Sequence, residues 1–200
     1  MNLKKLYKIL YKYVADGKEK TPSAELMKGV YHDRGDLVAC NTHTLFVIHC
    51  DGYALEYDGL IIDRKGNTLK NTDGAILIYP DYRSVMPDPN RKAEKVIGKE
   101  ECKLLVKACN NIPAVKDQVK QIYIRVANTV NLDPKIILDV AEAFKLLGEE
   151  IEAVLIYTER DKQFKPVVFT SGSSRVVVMP HTNMESILSV EDALEVGDLL

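Results

Sequence analysis

Along residues 3–15, LKKLYKILYKYVA, the apolar positions Leu3, Leu6, Leu10 and Val14 recur at three- and four-residue steps. That spacing places them on one face of a helix, and Asp16-Gly17 supplies the stop. A polar stretch from Lys18 to Ser23 follows, and then the texture changes. From Met27 to Asp63 the chain reads as short apolar runs, LMKGVY, DLVAC, TLFVIHC, YALEY and LIID, cut by turn residues at 33–36 and at Asp51-Gly52. Val, Ile and Tyr dominate these runs, which predicts an antiparallel meander. AILIY (75–79) predicts one more strand.

Pro80, Pro87 and Pro89, with the polar residues 90–95, mark a linker. Beyond it the order of helix then strands recurs. Lys99 to Asn110 is expected to be helical and Val119 to Ala127 a strand. Asp133-Pro134 opens a helix that runs to Leu147 and closes at Gly148, with proline in its favoured first position. IEAVLIYT (151–158), PVVFTS (166–171) and RVVVMP (175–180) are the remaining strands. The expected organisation is a first domain over 1–88, a second over 95–183, and an acidic extension over 184–200. The expected fold class is α+β, antiparallel sheets with helices on one face.

Composition narrows the function. The chain has 27 basic and 29 acidic side chains, so no bulk positive charge draws it to nucleic acid, and any such contact needs local segregation of charge. Its uninterrupted apolar runs, such as Leu45 to Ile48, are far short of the roughly 18 residues of a membrane span. Lysines interrupt residues 1–14 every few positions, unlike a secretory signal, so a cytoplasmic location without membrane contact is expected. In that setting Cys40, Cys50, Cys102 and Cys109 are expected as reduced thiols, the last two in a helical core.

Three segments at strand ends stand out: ACNTHTLFV (39–47), YPDYRSVMP (79–87) and RVVVMPHTN (175–183). Together they resemble the bacterial sliding clamp, the β subunit of the replicative DNA polymerase. That family carries Ala-Thr-Asp-Gly-His-Arg-Leu-Ala, Phe-Pro-Asp-Tyr-Arg-Arg-Val-Leu-Pro and, near its end, Val-Val-Met-Pro-Met. Ala39, His43 and Leu45 agree with the first motif, while Cys40, Asn41, Thr42 and Thr44 depart from it. Pro80, Asp81, Tyr82, Arg83, Val85 and Pro87 agree with the second, with Ser84 replacing an Arg. Val177, Val178, Met179 and Pro180 agree with the third, with His181 in place of a Met.

The resemblance implies a hydrophobic pocket that takes a short linear peptide from a DNA polymerase or another replication or repair protein. Leu45, Val85, Val178, Met179 and Pro180 would form its floor beside Thr44, Pro80 and Val177, with His43, Arg83 and His181 on the rim. It also implies helices that present cations to duplex DNA without reading sequence. The first helix sets Lys4, Lys8 and Lys12 at steps of four beside Lys5, and the helix from Lys99 repeats this with Lys103 and Lys107. Glu100 and Glu101 dilute the second stripe.

The chain is much shorter than a three-domain clamp. Residues 95–180 suffice for one nearly complete clamp domain, whereas 1–88 lack the helix the family has between Leu45 and Pro80, so the first domain is abbreviated. A ring of six domain equivalents would need a trimeric homo-oligomer of this chain; the alternative is a monomeric adaptor or decoy that keeps the pocket and does not encircle DNA. The extension 184–200 carries Glu185, Glu191, Asp192, Glu195 and Asp198 and no cation. It is expected either to fold over a pocket or to pack elsewhere as a short helix. Cys40, His43, His49 and Cys50 have the atoms for zinc, but adjacent strand residues 49 and 50 point to opposite faces. Gly17-Lys18 lacks a phosphate-loop spacing, Ser171 to Ser174 is a hairpin turn, and Glu149-Glu150 sits in a turn. The reading is a non-catalytic processivity factor or clamp-related binding protein, as the resemblance implies, without cofactor or metal.

Overall fold

The structure is a computed structural model that describes residues 2–17, 22–50, 55–70, 74–88, 90–112, 122–127, 130–157, 166–180 and 186–198. In chain order the elements are α1 (Leu3–Leu10), α2 (Pro22–Leu26), β1 (Val30–Asp33), β2 (Asp36–Cys40), β3 (Thr44–His49) and β4 (Ile61–Ile62). They continue with β5 (Lys95–Gly98), α3 (Lys99–Asn111), β6 (Tyr123–Ala127), β7 (Val130–Leu132) and α4 (Pro134–Leu147). Then come β8 (Ala153–Ile156), β9 (Val167–Ser171), β10 (Ser174–Val178), β11 (Ile187–Leu188) and α5 (Val190–Asp198). No helix among the described residues is long and apolar enough to cross a membrane. The fold class is α+β with antiparallel sheet; β11 against β6 is the parallel exception.

Two compact units emerge, Met1–Pro87 with Ser173–Val178, and Asp88–Gly172 with Met179–Leu200. In the first, strands lie in the order β4-β1-β2-β3-β10, all antiparallel. The β1–β2 turn holds Arg34 at φ 50° and Gly35 at φ 93°, a pair of left-handed residues whose twist suits a two-residue hairpin. Helix α1 lies on one side of this sheet. Leu6, Ile9 and Leu10 are buried there, the Tyr13 ring meets Phe46 edge-on at 5.0 Å, and Tyr7 reaches His32.

α1 is shorter than the expected 3–15. After Leu10 the chain tightens, with Lys12 N–H donating to the Ile9 carbonyl and Tyr13 N–H to that of Leu10. Arg64 Nη2 then takes the Tyr11 carbonyl at 2.6 Å, which ends the helix while Tyr13 and Val14 stay buried. Of the run YALEY, the described residues Leu55–Tyr57 form a 3₁₀ turn instead of a strand, and Tyr53 and Ala54 lie outside the described residues. AILIY does not form the expected strand either. It keeps one isolated bridge, Lys70 with Ile76, and leaves Ile78 85% exposed.

In the second unit β9, β8 and β5 pair antiparallel in that order, and β11, β6 and β7 form a separate small sheet. Cys102, Leu105, Ala108 and Cys109 line the buried side of α3. Burial pushes the Cys102 thiol up to about 11 and that of Cys109 up to about 12, so both are protonated core groups. Asp133 caps α4, its Oδ1 accepting from Lys135 N–H at 2.8 Å, Pro134 opens the helix, and Gly148 closes it at φ 87°. These are the boundaries that the sequence signals require.

The sequence places residues 175–180 in the second domain, but β10 completes the first unit's sheet, pairing with β3 over five residues. Residues 186–198 pack within the second unit, with a short helix. β11 lies beside β6, Ala193 is fully buried, and Asn111 Nδ2 donates to the Leu194 carbonyl, seating α5 on α3.

Candidate functional site

Strand alternation and register decide which side chains share a face of the first unit's sheet. Opposed pairs are Asp33 with Asp36, Tyr31 with Val38, Val38 with Val47, Cys40 with Leu45, and Leu45 with Val177. These residues therefore look away from α1. Thr44 faces Val178 across the same ladder, one position out of step, so both turn to the helix side, where they are buried. This corrects the expectation that Thr44 and Val178 line the same floor as Leu45. Cys40 takes a place on that face instead, at the outer end of β2. Leu45 and Val177 are only 3% and 2% exposed, so they form the base of the face, not its open surface.

The 79–87 segment lies against this face, held by aromatic and polar contacts. The Tyr79 ring stacks on Tyr31, centroids 4.8 Å apart and planes nearly parallel. The Cys40 and Tyr82 groups also face Tyr79, whose pKa is raised chiefly by burial. Asp81 caps the 3₁₀ turn Tyr82–Val85, accepting from Arg83 N–H at 3.2 Å, and Ser84 Oγ donates to the Asp81 carbonyl at 2.7 Å. The Tyr82 hydroxyl donates to Asp33 Oδ2 at 2.9 Å and Asp36 Oδ2 at 3.2 Å. Burial and then those two carboxylates push the Tyr82 pKa up, so the phenol stays a donor. Arg83 pairs with Asp33 and lies 4.9 Å over the Tyr82 ring, and His49 Nδ1 holds Asp36 at 2.8 Å.

The outcome of these ties is a fixed loop with Val85 48% exposed and Pro80 partly exposed. Asp33 and Asp36 were legible in the sequence only as turn formers. Their second role, anchoring a segment some fifty residues later, leaves no local signal.

At the β2–β3 turn Asn41 Oδ1 accepts from Thr44 N–H at 2.9 Å and His43 N–H at 3.3 Å. Thr42 sits at φ 69°, a left-handed conformation that a β-branched residue seldom adopts. The resembled motif has Gly at that position. The turn leaves His43 exposed. Met179 and Pro180, partly exposed, belong to the second unit, and His181 lies outside the described residues.

Lys4, Lys5 and Lys8 are exposed on α1, while Lys12, also exposed, falls in the turn beyond it. The second stripe is partly neutralised: Lys99 Nζ meets Glu150 at 2.9 Å and Lys103 Nζ meets Glu100 at 2.8 Å. Lys107 is exposed on the same helix. Among the described residues no group of three His, Cys, Asp or Glu side chains is arranged to hold a metal ion.

The fold is matched in solved structures. The sliding clamp of Bartonella birtlesii, bound to griselimycin, superposes with a TM-score of 0.59 at 15% identity, covering 90% of this chain and 64% of that one. The chain has the fold of a bacterial sliding clamp. DNA polymerase III subunit beta from Borrelia burgdorferi, in complex with a natural product, gives 0.58 at 12% identity, covering 90% of this chain and 61% of that chain. The Pseudomonas aeruginosa sliding clamp with ligand gives 0.57 at 17%, covering 90% and 63%. The chain thus spans under two thirds of the length of these clamps, consistent with a clamp fold that includes a partial domain. No family model matches the sequence, and no curated protein does.

Proposed function

We propose that the chain is a non-catalytic clamp-fold binding protein that takes a short linear peptide of a DNA polymerase or another replication or repair protein. The docking surface in this reading is the sheet face over Leu45 and Val177, with Cys40, His43, Pro80, Arg83 and Val85 around it. One observation carries it: in a fold shared with sliding clamps, the Pro80–Val85 loop is pinned by Asp33 and Asp36 against that face, with Val85 presented outward. A fixed apolar prominence beside a guanidinium is what a short peptide needs for orientation and affinity. Met179, Pro180 and His181 stay in the reading through the resemblance alone.

Duplex DNA is the second partner, met by Lys4, Lys5, Lys8 and Lys12 through backbone phosphates. The pairing of Lys99 and Lys103 with glutamates, and a chain of two units, favour a monomeric adaptor over an encircling ring.

The test is fluorescence anisotropy with a labelled peptide from the clamp-binding segment of a bacterial replicative polymerase. Saturable binding that Val85→Glu weakens at least about tenfold, or about 1.4 kcal/mol, is expected. Absence of binding, or indifference to Val85→Glu, refutes the docking surface. Light scattering separates monomer from trimer, and the salt dependence of duplex binding, each phosphate contact adding roughly 0.9 to the log–log slope, reports whether the lysines engage DNA.

A further inference from the structure

The first unit's sheet runs out into an edge that no element among the described residues pairs. Beyond β4 the ladder continues as isolated bridges, Ile62 with Thr68 and Lys70 with Ile76. Asn67 and Leu69 serve β4: Asp63 N–H donates to the Asn67 carbonyl, and Leu69 N–H to that of Ile61. Backbone direction alternates from residue to residue, so Lys70 turns its main-chain groups the other way, toward Ile76. By the same alternation Leu77 turns its N–H and C=O to the open side. Neither Leu77 nor Ile78 makes a hydrogen bond among the described residues.

The side chains alternate as well. Leu77 is partly buried and Tyr79 stacks on Tyr31, whereas Ile76 is 55% and Ile78 85% exposed. Folded chains guard an open edge with charges or proline. Residues 75–79, AILIY, hold neither, and the run is bounded by Gly74 at φ 85° and by Pro80. What covers this edge must therefore be short, extended and uncharged, with apolar side chains at alternate positions. Residues 75–79 of a second copy meet each of those conditions.

We infer that two copies of the chain pair through this edge, antiparallel about a twofold axis at Leu77. Leu77 N–H of each copy donates to the Leu77 carbonyl of the other. Ile76 of each then lies opposite Ile78 of the other, about 5 Å away. A slip of two residues would set one isoleucine of each copy against Gly74 or Pro80 instead. Lys70, exposed beside Ile76, sits one rung in from the seam. The two lysines are thus three strand spacings apart, roughly 14 Å, which exceeds the Debye length of about 8 Å at physiological salt. Asp81 lies beyond Pro80, where it caps the next turn. The contact is isologous and closes at two copies, unlike a trimeric ring. It is far smaller than a standard interface of about 1,600 Å², so the dimer is weak and single chains prevail at low concentration.

The experiment is analytical ultracentrifugation of the full chain from about 1 µM to about 1 mM. Monomer at the low end and a rising dimer fraction, with a Kd of about 10–500 µM, are expected. Ile78→Lys and Ile76→Glu, both at exposed positions, should each weaken dimerisation at least about tenfold while the urea midpoint stays unchanged. The double variant Ile76→Glu/Ile78→Lys should recover about threefold or more over either single change, because each introduced carboxylate then faces an introduced ammonium across the seam. A chain that stays monomeric at about 1 mM overturns the inference, as does a trimer or a dimer indifferent to both single substitutions. A double variant no better than the single ones overturns the axis at Leu77.

Discussion

His32 gives the most direct quantitative test of the first unit's packing. It lies on the α1 side of the sheet, only 3% exposed, with Nε2 2.7 Å from the Tyr7 hydroxyl and the Tyr57 ring edge-on at 5.4 Å. Burial lowers its pKa from 6.5 to about 4, against the opposing pull of Asp58 and Glu56. The unfolded chain therefore takes up a proton near pH 6.5, and the folded chain does not until about pH 4. The contribution to stability is complete above about pH 6.5, declines as the pH falls through that window, and is lost below about pH 4. Two and a half pH units at about 1.4 kcal/mol each come to about 3.5 kcal/mol, of which about 2 kcal/mol is gone by about pH 5. Urea unfolding of the native chain and His32→Phe at about pH 7 and about pH 5 isolates this share, because the carboxylates titrate in both. The native chain should lose about 2 kcal/mol more than the variant between the two conditions. Equal losses, or an imidazole resonance for His32 that titrates near pH 6.5, would refute the argument.

Two further outcomes follow from the sheet's other side. Thr42→Asn, at φ 69°, replaces a residue strained in the left-handed region with one that tolerates it, and should raise stability by about 1 kcal/mol, seen as a higher urea midpoint at unchanged slope. Tyr82→Phe withdraws the donor shared by Asp33 and Asp36 and should cost about 1–3 kcal/mol, with faster hydrogen exchange at the Met86 amide, which donates to the Arg83 carbonyl; unchanged exchange there would show that Arg83 alone holds the loop.

What the sequence disclosed and what it hid divide by range. α4 announces itself through Asp133-Pro134 at one end and Gly148 at the other, because capping chemistry is local. The buried stripe of α3 is equally local. AILIY misleads because an apolar run with β-formers has strand propensity, yet its course is set by Tyr79 stacking on Tyr31 and Tyr82 reaching Asp33, contacts that no window of sequence contains. The three motif segments are visible as residues, but Thr44 and Val178 could be sorted from Leu45 and Val177 only with the β3–β10 register, which joins positions far apart in the chain. β11 is two residues paired in parallel, too brief for any periodicity to reveal.

Residues 173–178 reach the first unit's outermost ladder from the far end of the polypeptide. During synthesis residues 50–172 must be made before β3 meets β10, so throughout that interval Leu45 and Val47 line an unclosed, sticky border. A truncation at Pro87, although it coincides with the edge of a compact body, would keep that border permanently open. The practical consequence is that an excised N-terminal half should be prepared with the six residues Ser173–Val178 grafted back on, or it will self-associate through β3.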